Sequence, residues 1–137
     1  MASDYQEGES QMSKIVTKYE DIKAYITKDG SIIRELMHPN IHNNKNLSLA
    51  EAIVPIGSQT FLHKHKTSEE IYHIIKGRGI MTLEDKNFTV NKGDTICIKP
   101  NTAHKIKNTG NEPLKILCCC APAYSHEDTI VLDKLEK

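Results

Sequence analysis

His63 and His65, one residue apart, followed by Glu70 and later by His104, are the residues of this chain whose types and spacing point to chemistry. On an extended strand successive side chains leave opposite faces, so His63 and His65 project together while Lys64 points outward. Two imidazoles on one face make half of a metal site. After the Lys66-Thr67-Ser68 turn, Glu70 returns a carboxylate toward them, and His104, on a later strand, supplies a third nitrogen. Three nitrogens and one oxygen suit one divalent ion of Mn, Fe, Ni, Co or Zn better than Ca or Mg, which take oxygen shells; positions stay open for water or substrate. The bland alternative is four polar residues packed without an ion. Each polar group then left unpaired costs about 1–3 kcal/mol, which a cation removes.

The surrounding intervals are informative in their own right. Gly57, His63, His65, Glu70 and Gly77 follow the order Gly-x5-His-x-His-x4-Glu-x6-Gly, and Gly93, His104 and Asn108 form a second set. This pair of motifs resembles the cupin superfamily, in its small single-domain, conserved-barrel form. Two positions depart from the second motif: Lys99 stands where proline is usual and Asn101 where glycine is usual. Pro100 still stiffens that turn, and Asn tolerates the left-handed backbone a turn glycine provides. The resemblance covers roughly residues 47 to 121. It implies an antiparallel double-stranded β-helix, a jelly-roll barrel, with His63, His65, Glu70 and His104 as metal ligands and pairing through sheet edges into a homodimer.

The elements that must position these residues are short β segments divided by turn residues, the rhythm of an all-β sandwich or barrel. Residues 31–37, 47–54, 60–65, 70–76, 79–84, 87–90, 95–98, 104–108 and 114–120 read as strands. Residues 15–26 fit either a helix or a strand, and 129–137 either a final strand or a helix. Residues 1–12 read as a disordered tail or expression remnant ahead of a single barrel domain, 13–137. Strand parity puts Gln59 and Phe61 on the His63 face, Tyr72 and Ile74 inward beyond Glu70, and Ile106 and Asn108 on the His104 face. His73 falls outside. Asn108 reads as a turn or supporting hydrogen-bond residue, and Met81 or Leu83 as apolar wall.

Weaker features stay outside the metal set. His38 and His42 sit in or beside a polar loop and read as solvated. Tyr124 to Asp128 either closes over the barrel mouth, offering Tyr124 or His126 as acid or base, or forms an ordinary surface turn, the preferred reading. Arg34 either clamps an anionic substrate or pairs with an acid such as Glu51. Cys118, Cys119 and Cys120 are consecutive, and with Cys97 as the only other cysteine they read as reduced residues of a core strand.

Eighteen basic residues balance eighteen acidic ones, so no global field attracts nucleic acid or an anionic membrane. No apolar run has transmembrane length and the N-terminus lacks the basic-then-apolar order of a signal peptide, which makes a cytoplasmic protein the expectation. The leading functional expectation is a metal-dependent enzyme acting on a small molecule, with the dioxygenase, isomerase, decarboxylase and lyase chemistries that the resemblance implies. A non-catalytic, metal-dependent binder of a small ligand is the alternative, and a sugar-phosphate isomerase-like activity the next. No separate acid or base is assigned.

Overall fold

In a computed structural model, which describes residues 15–133, the alternating segments become eleven strands. They are β1 (Tyr25–Ile26), β2 (Ile32–Met37), β3 (Ser48–Val54), β4 (His63–His65), β5 (Glu69–Lys76), β6 (Arg78–Leu83), β7 (Lys86–Asn91), β8 (Thr95–Ile98), β9 (His104–Asn108), β10 (Leu114–Ala121) and β11 (Thr129–Val131). The expected tail at 1–12 and the last positions of the 129–137 segment lie outside the described residues. All pairings between these strands are antiparallel. One sheet has the order β1-β2-β3-β10-β5-β8 and the other β11-β4-β9-β6-β7. Closed face to face they make the double-stranded β-helix.

Alternation decides which side chains meet inside. Along β10, Leu114, Ile116, Cys118 and Cys120 are buried while the residues between them are half-exposed. With Ile74, Met81, Ile98 and Ile106 they form the core between the sheets. Burying each large aliphatic side chain contributes about 1.5–3 kcal/mol. The closest approach lies at Gly79, where any Cβ would overlap the Lys107 carbonyl oxygen of the paired strand β9. Only glycine fits there.

Three expectations need correction. Residues 15–26 form neither a full helix nor a full strand, but a 3-10 turn at Tyr19–Asp21 followed by the two-residue β1. The strand expected over 60–65 is confined to His63–His65: Gln59 makes only an isolated bridge to Lys107, and the Phe61 N–H turns away to the Asp29 carbonyl. Parity therefore fails upstream of His63, so that Thr60 is buried while Gln59 and Phe61 are exposed. His38 is buried rather than solvated, its Nε2 2.8 Å from the Tyr124 carbonyl, and half-buried His42 accepts the His38 N–H at Nδ1. At the other end, Thr129–Val131 resolves as a strand paired with β4.

Asn101 adopts the left-handed backbone, φ 65°, that lets it stand in for a turn glycine, and its N–H donates to the His65 carbonyl at 2.7 Å. Asn108, also buried, ties three segments. Its Nδ2 donates to the carbonyls of Val54 and Glu112, both at 2.9 Å, and its Oδ1 accepts the Gly110 N–H. Asn108→Ala strands those groups in a dry environment. It should lower unfolding free energy by about 2–3 kcal/mol in urea titration; a loss below about 0.5 kcal/mol would refute this role.

Candidate metal centre

The antiparallel pairing of β4 with β9 sets His63 opposite His104, and two-residue periodicity keeps His65 on the same face. Glu70 comes from β5 in the opposite sheet, so the four residues of the expected set converge across the barrel from both walls. The turn joining β4 to β5 is clamped from outside by Asp128, whose carboxylate accepts from Thr67 N, Thr67 Oγ1 and Ser68 N. All four side chains are buried, His104 completely. The ring centroids of His63 and His104 lie 4.2 Å apart, and those of His65 lie 5.4 and 5.5 Å from them.

Each ring is oriented by a partner on its outer nitrogen. His63 Nδ1 donates to the Phe61 carbonyl at 2.7 Å, and His104 Nδ1 to the Thr102 carbonyl at 2.9 Å. A carbonyl only accepts, so both rings carry their proton on Nδ1. His65 Nδ1 lies 2.9 Å from Thr129 Oγ1, and that hydroxyl already donates to the Ser125 carbonyl. Thr129 is therefore left to accept, and His65 too is protonated on Nδ1. Three Nε2 lone pairs then face the interior.

What they face is another acceptor. Glu70 Oε1 lies 3.0 Å from His65 Nε2 and 3.5 Å from His104 Nε2, and the latter nitrogen is buried with no hydrogen-bond partner among the described residues. Ring nitrogens of the three histidines lie within 4.8 Å of one another. A carboxylate 3.0 Å from a ring lone pair is repulsive unless a cation, proton or metal, sits between them. The donor set fits a divalent ion on this ground, and the outer-nitrogen partners are the kind that orient metal-binding imidazoles.

Electrostatics agree. Burial, reinforced by the neighbouring His104, pushes His63 down to about 4, keeping its ring neutral and available. Burial alone would raise Glu70, but a positive charge on the His104 and His65 side of it, carried as a proton on Nε2, outweighs that and holds it well below the usual carboxylate range, the same place a metal cation would fill. Burial raises the Tyr72 hydroxyl, with Glu70 adding to the effect, and raises the Tyr124 hydroxyl likewise. Both stay protonated donors at neutral pH.

Several residues at the site carried no spacing signal. Asp29, at the β1–β2 turn, has its Oδ1 held by Ser31 N and Oγ and its Oδ2 3.4 Å from His63 Nε2. Its Asp29-Gly30-Ser31 run reads locally only as a turn. Tyr124 lines the cavity, its ring against His65 at 5.8 Å and its hydroxyl 3.1 Å from Thr27 Oγ1. The segment expected as a surface turn thus closes one wall, while His126 stays exposed. Thr60 replaces the expected Gln59 and Phe61 in the lining. Apolar wall comes from Ile33, Ala50, Ala52, Val54, Ile106 and Ile116 rather than from Met81 or Leu83. Arg34 points away from the cavity: it pairs with Glu51 at 3.4 Å and stacks on Tyr19. His73 likewise lies outside the lining, against Thr95.

The cupin domain family matches residues 50–120. The chain is 66% identical over 122 residues to the uncharacterized protein MJ1618 of Methanocaldococcus jannaschii, covering 89% of this chain and 98% of that one. It is 36% identical to the oxalate-binding protein of Thermotoga maritima over 61% of this chain and 65% of the relative. A solved structure of a predicted oxalate decarboxylase from Thermotoga maritima superposes with a TM-score of 0.69 at 26% identity, covering 78% of this chain and 98% of that one.

The buried, depressed His63 has a consequence for stability. Unfolded, it takes up a proton near 6.5; in the barrel it does so only near 4, so the unfolded chain binds more protons between those values. Stability of chelator-treated protein should be level above pH 7 and fall by about 3 kcal/mol as pH drops from 6.5 to 4. Glu70, depressed in the fold, adds a loss of the same sign below its ordinary 4.5. Urea midpoints that do not move across this window would contradict the assignment.

Proposed function

The chain belongs to the cupin domain family, and from that premise we propose that it is a metal-dependent cupin acting on a small molecule. The observation that carries this reading is the confrontation of the Glu70 carboxylate with the His65 and His104 Nε2 lone pairs inside a closed barrel. Nε2 of His63, His65 and His104, with Glu70, would hold one divalent ion of the Mn, Fe, Ni, Co or Zn group. Such an ion supplies a Lewis acid for a coordinated carbonyl or hydroxyl oxygen.

The chain's own side chains do the rest. Ile33, Ile106, Ile116 and the small residues Ala50 and Ala52 keep bulk water from the cavity, which strengthens every polar contact within it. Tyr72 and Tyr124, held protonated, offer hydroxyl donors to a bound oxygen. Asp29 Oδ2, beside His63, is an acceptor placed to take a proton or a hydrogen bond from a ligand. A second reading, capture without turnover, is favoured by the name of the oxalate-binding Thermotoga relative. Single-turnover assays with candidate hydroxy-carbonyl compounds separate the two: product formed requires an enzyme, unchanged ligand recovered from the loaded protein supports a binder.

Elemental analysis of protein dialysed against Mn, Fe, Co, Ni or Zn should find one ion per chain, and none in His65→Ala. Thr129→Val removes the partner of His65 Nδ1 together with the hydrogen bond to the Ser125 carbonyl, and should weaken metal affinity about 10- to 100-fold without unfolding the barrel. Full stoichiometry in His65→Ala would end the proposal.

A further inference from the structure

The inner cavity, about 40 Å³, opens into an outer groove of about 370 Å³, and Tyr25, Glu35 and Tyr124 line both. These three residues stand at the junction of the two. Among the described residues, no lysine or arginine lines the cavity or the groove. The nearby Lys28 is engaged elsewhere, its Nζ donating to the carbonyls of His126 and Thr129. Acids, in contrast, face inward from three places: Glu70 on β5, Asp29 at the β1–β2 turn and Glu35 on β2.

Glu35 is the most telling of them. Its Oε2 accepts the Tyr25 hydroxyl at 3.1 Å, while Oε1 is buried with no hydrogen-bond partner among the described residues. A buried acceptor without a partner costs free energy that a ligand O–H or N–H recovers. Three carboxylates against one divalent ion leave the cavity negative. A dicarboxylate brought there meets like charges in a medium where they are poorly screened. The volume has room for about three water-sized groups, so the part of a ligand beside the histidines must be short.

Resting on the reading of the barrel interior as a metal-dependent ligand site, we infer that this cavity selects a short, uncharged polyhydroxy compound and rejects dicarboxylates, with Glu35 as its specificity-determining residue and Asp29 in support. The ligand donates a hydroxyl hydrogen bond to Glu35 Oε1 as it enters and a second to Asp29 Oδ2, with its remaining oxygen toward the histidines. The anion in the name of the Thermotoga relative is therefore not this chain's ligand.

Dihydroxyacetone and malonate, both three-carbon compounds, make the test, titrated by calorimetry into protein loaded with Co²⁺ and checked for metal content. Wild-type protein should bind dihydroxyacetone more tightly. Glu35→Gln keeps the shape and an acceptor oxygen but removes the charge. It should tighten malonate about tenfold and weaken dihydroxyacetone about threefold, as a charged acceptor becomes a neutral one. A wild-type preference for malonate, malonate affinity unchanged in Glu35→Gln, or no binding of either probe to either protein overturns the inference. The same titrations on chelator-treated protein, followed by imidazole proton shifts, separate it from the metal reading. Protein that takes up no Co²⁺ yet ranks the probes as expected refutes the metal centre and upholds selection by charge; bound Co²⁺ with the opposite ranking does the reverse.

Discussion

Proton placement on three buried imidazoles is the constraint from which the rest of this molecule follows. Once the Phe61 and Thr102 carbonyls and the Thr129 hydroxyl take the Nδ1 protons, each neutral ring presents its Nε2 lone pair to the interior. Two of those partners lie two residues upstream of the ring they hold, so a local backbone shape fixes a long-range site. The sheets supply the remainder: register sets His63 against His104, and closure of the larger sheet brings Glu70 to face them. A barrel that buried these groups less thoroughly would let water mediate between them, and the demand for a cation would fade.

The part of this that a single sequence discloses is the part governed by short-range periodicity. His63 and His65 share a face because a strand repeats every two residues, and β8, β9 and most of β10 keep the bounds their alternation implies. The same rule misleads one step upstream. It presumes an unbroken strand, and the chain leaves its ladder between Gln59 and His63, so Thr60 takes the place expected for its neighbours. Asp29, Glu35 and Thr129 were beyond such reasoning altogether, and Tyr124 was weighed as a barrel-mouth residue but read as part of a surface turn. Asp29 and Glu35 reach the cavity from the N-terminal hairpin and Tyr124 from the segment before the final strand, while Thr129 on that strand backs His65, and nothing in their local intervals announces it.

Charge shows the same difference between composition and arrangement. Eighteen positive and eighteen negative residues cancel in the formula, yet among the described residues no lysine or arginine lines the cavity while carboxylates gather there. Arg34 illustrates how: it sits one residue before Glu35, so parity sends it to the outer face, where Glu51 and Tyr19 hold it. The cysteines obey the same alternation. Cys118 and Cys120 line the cavity, and burial together with the nearby Glu70 pushes both thiols well above their usual range. They remain protonated and act as compact wall; a thiolate ligand or nucleophile would need the opposite surroundings.

The last strand gives the centre an order of assembly. Thr129 orients His65, and Asp128 clamps the turn between His65 and Glu70, so a growing polypeptide displays both motif histidines for some sixty residues of synthesis before either support emerges. His65 and the turn that carries Glu70 are held in place only when the two ends of the chain's second half have met.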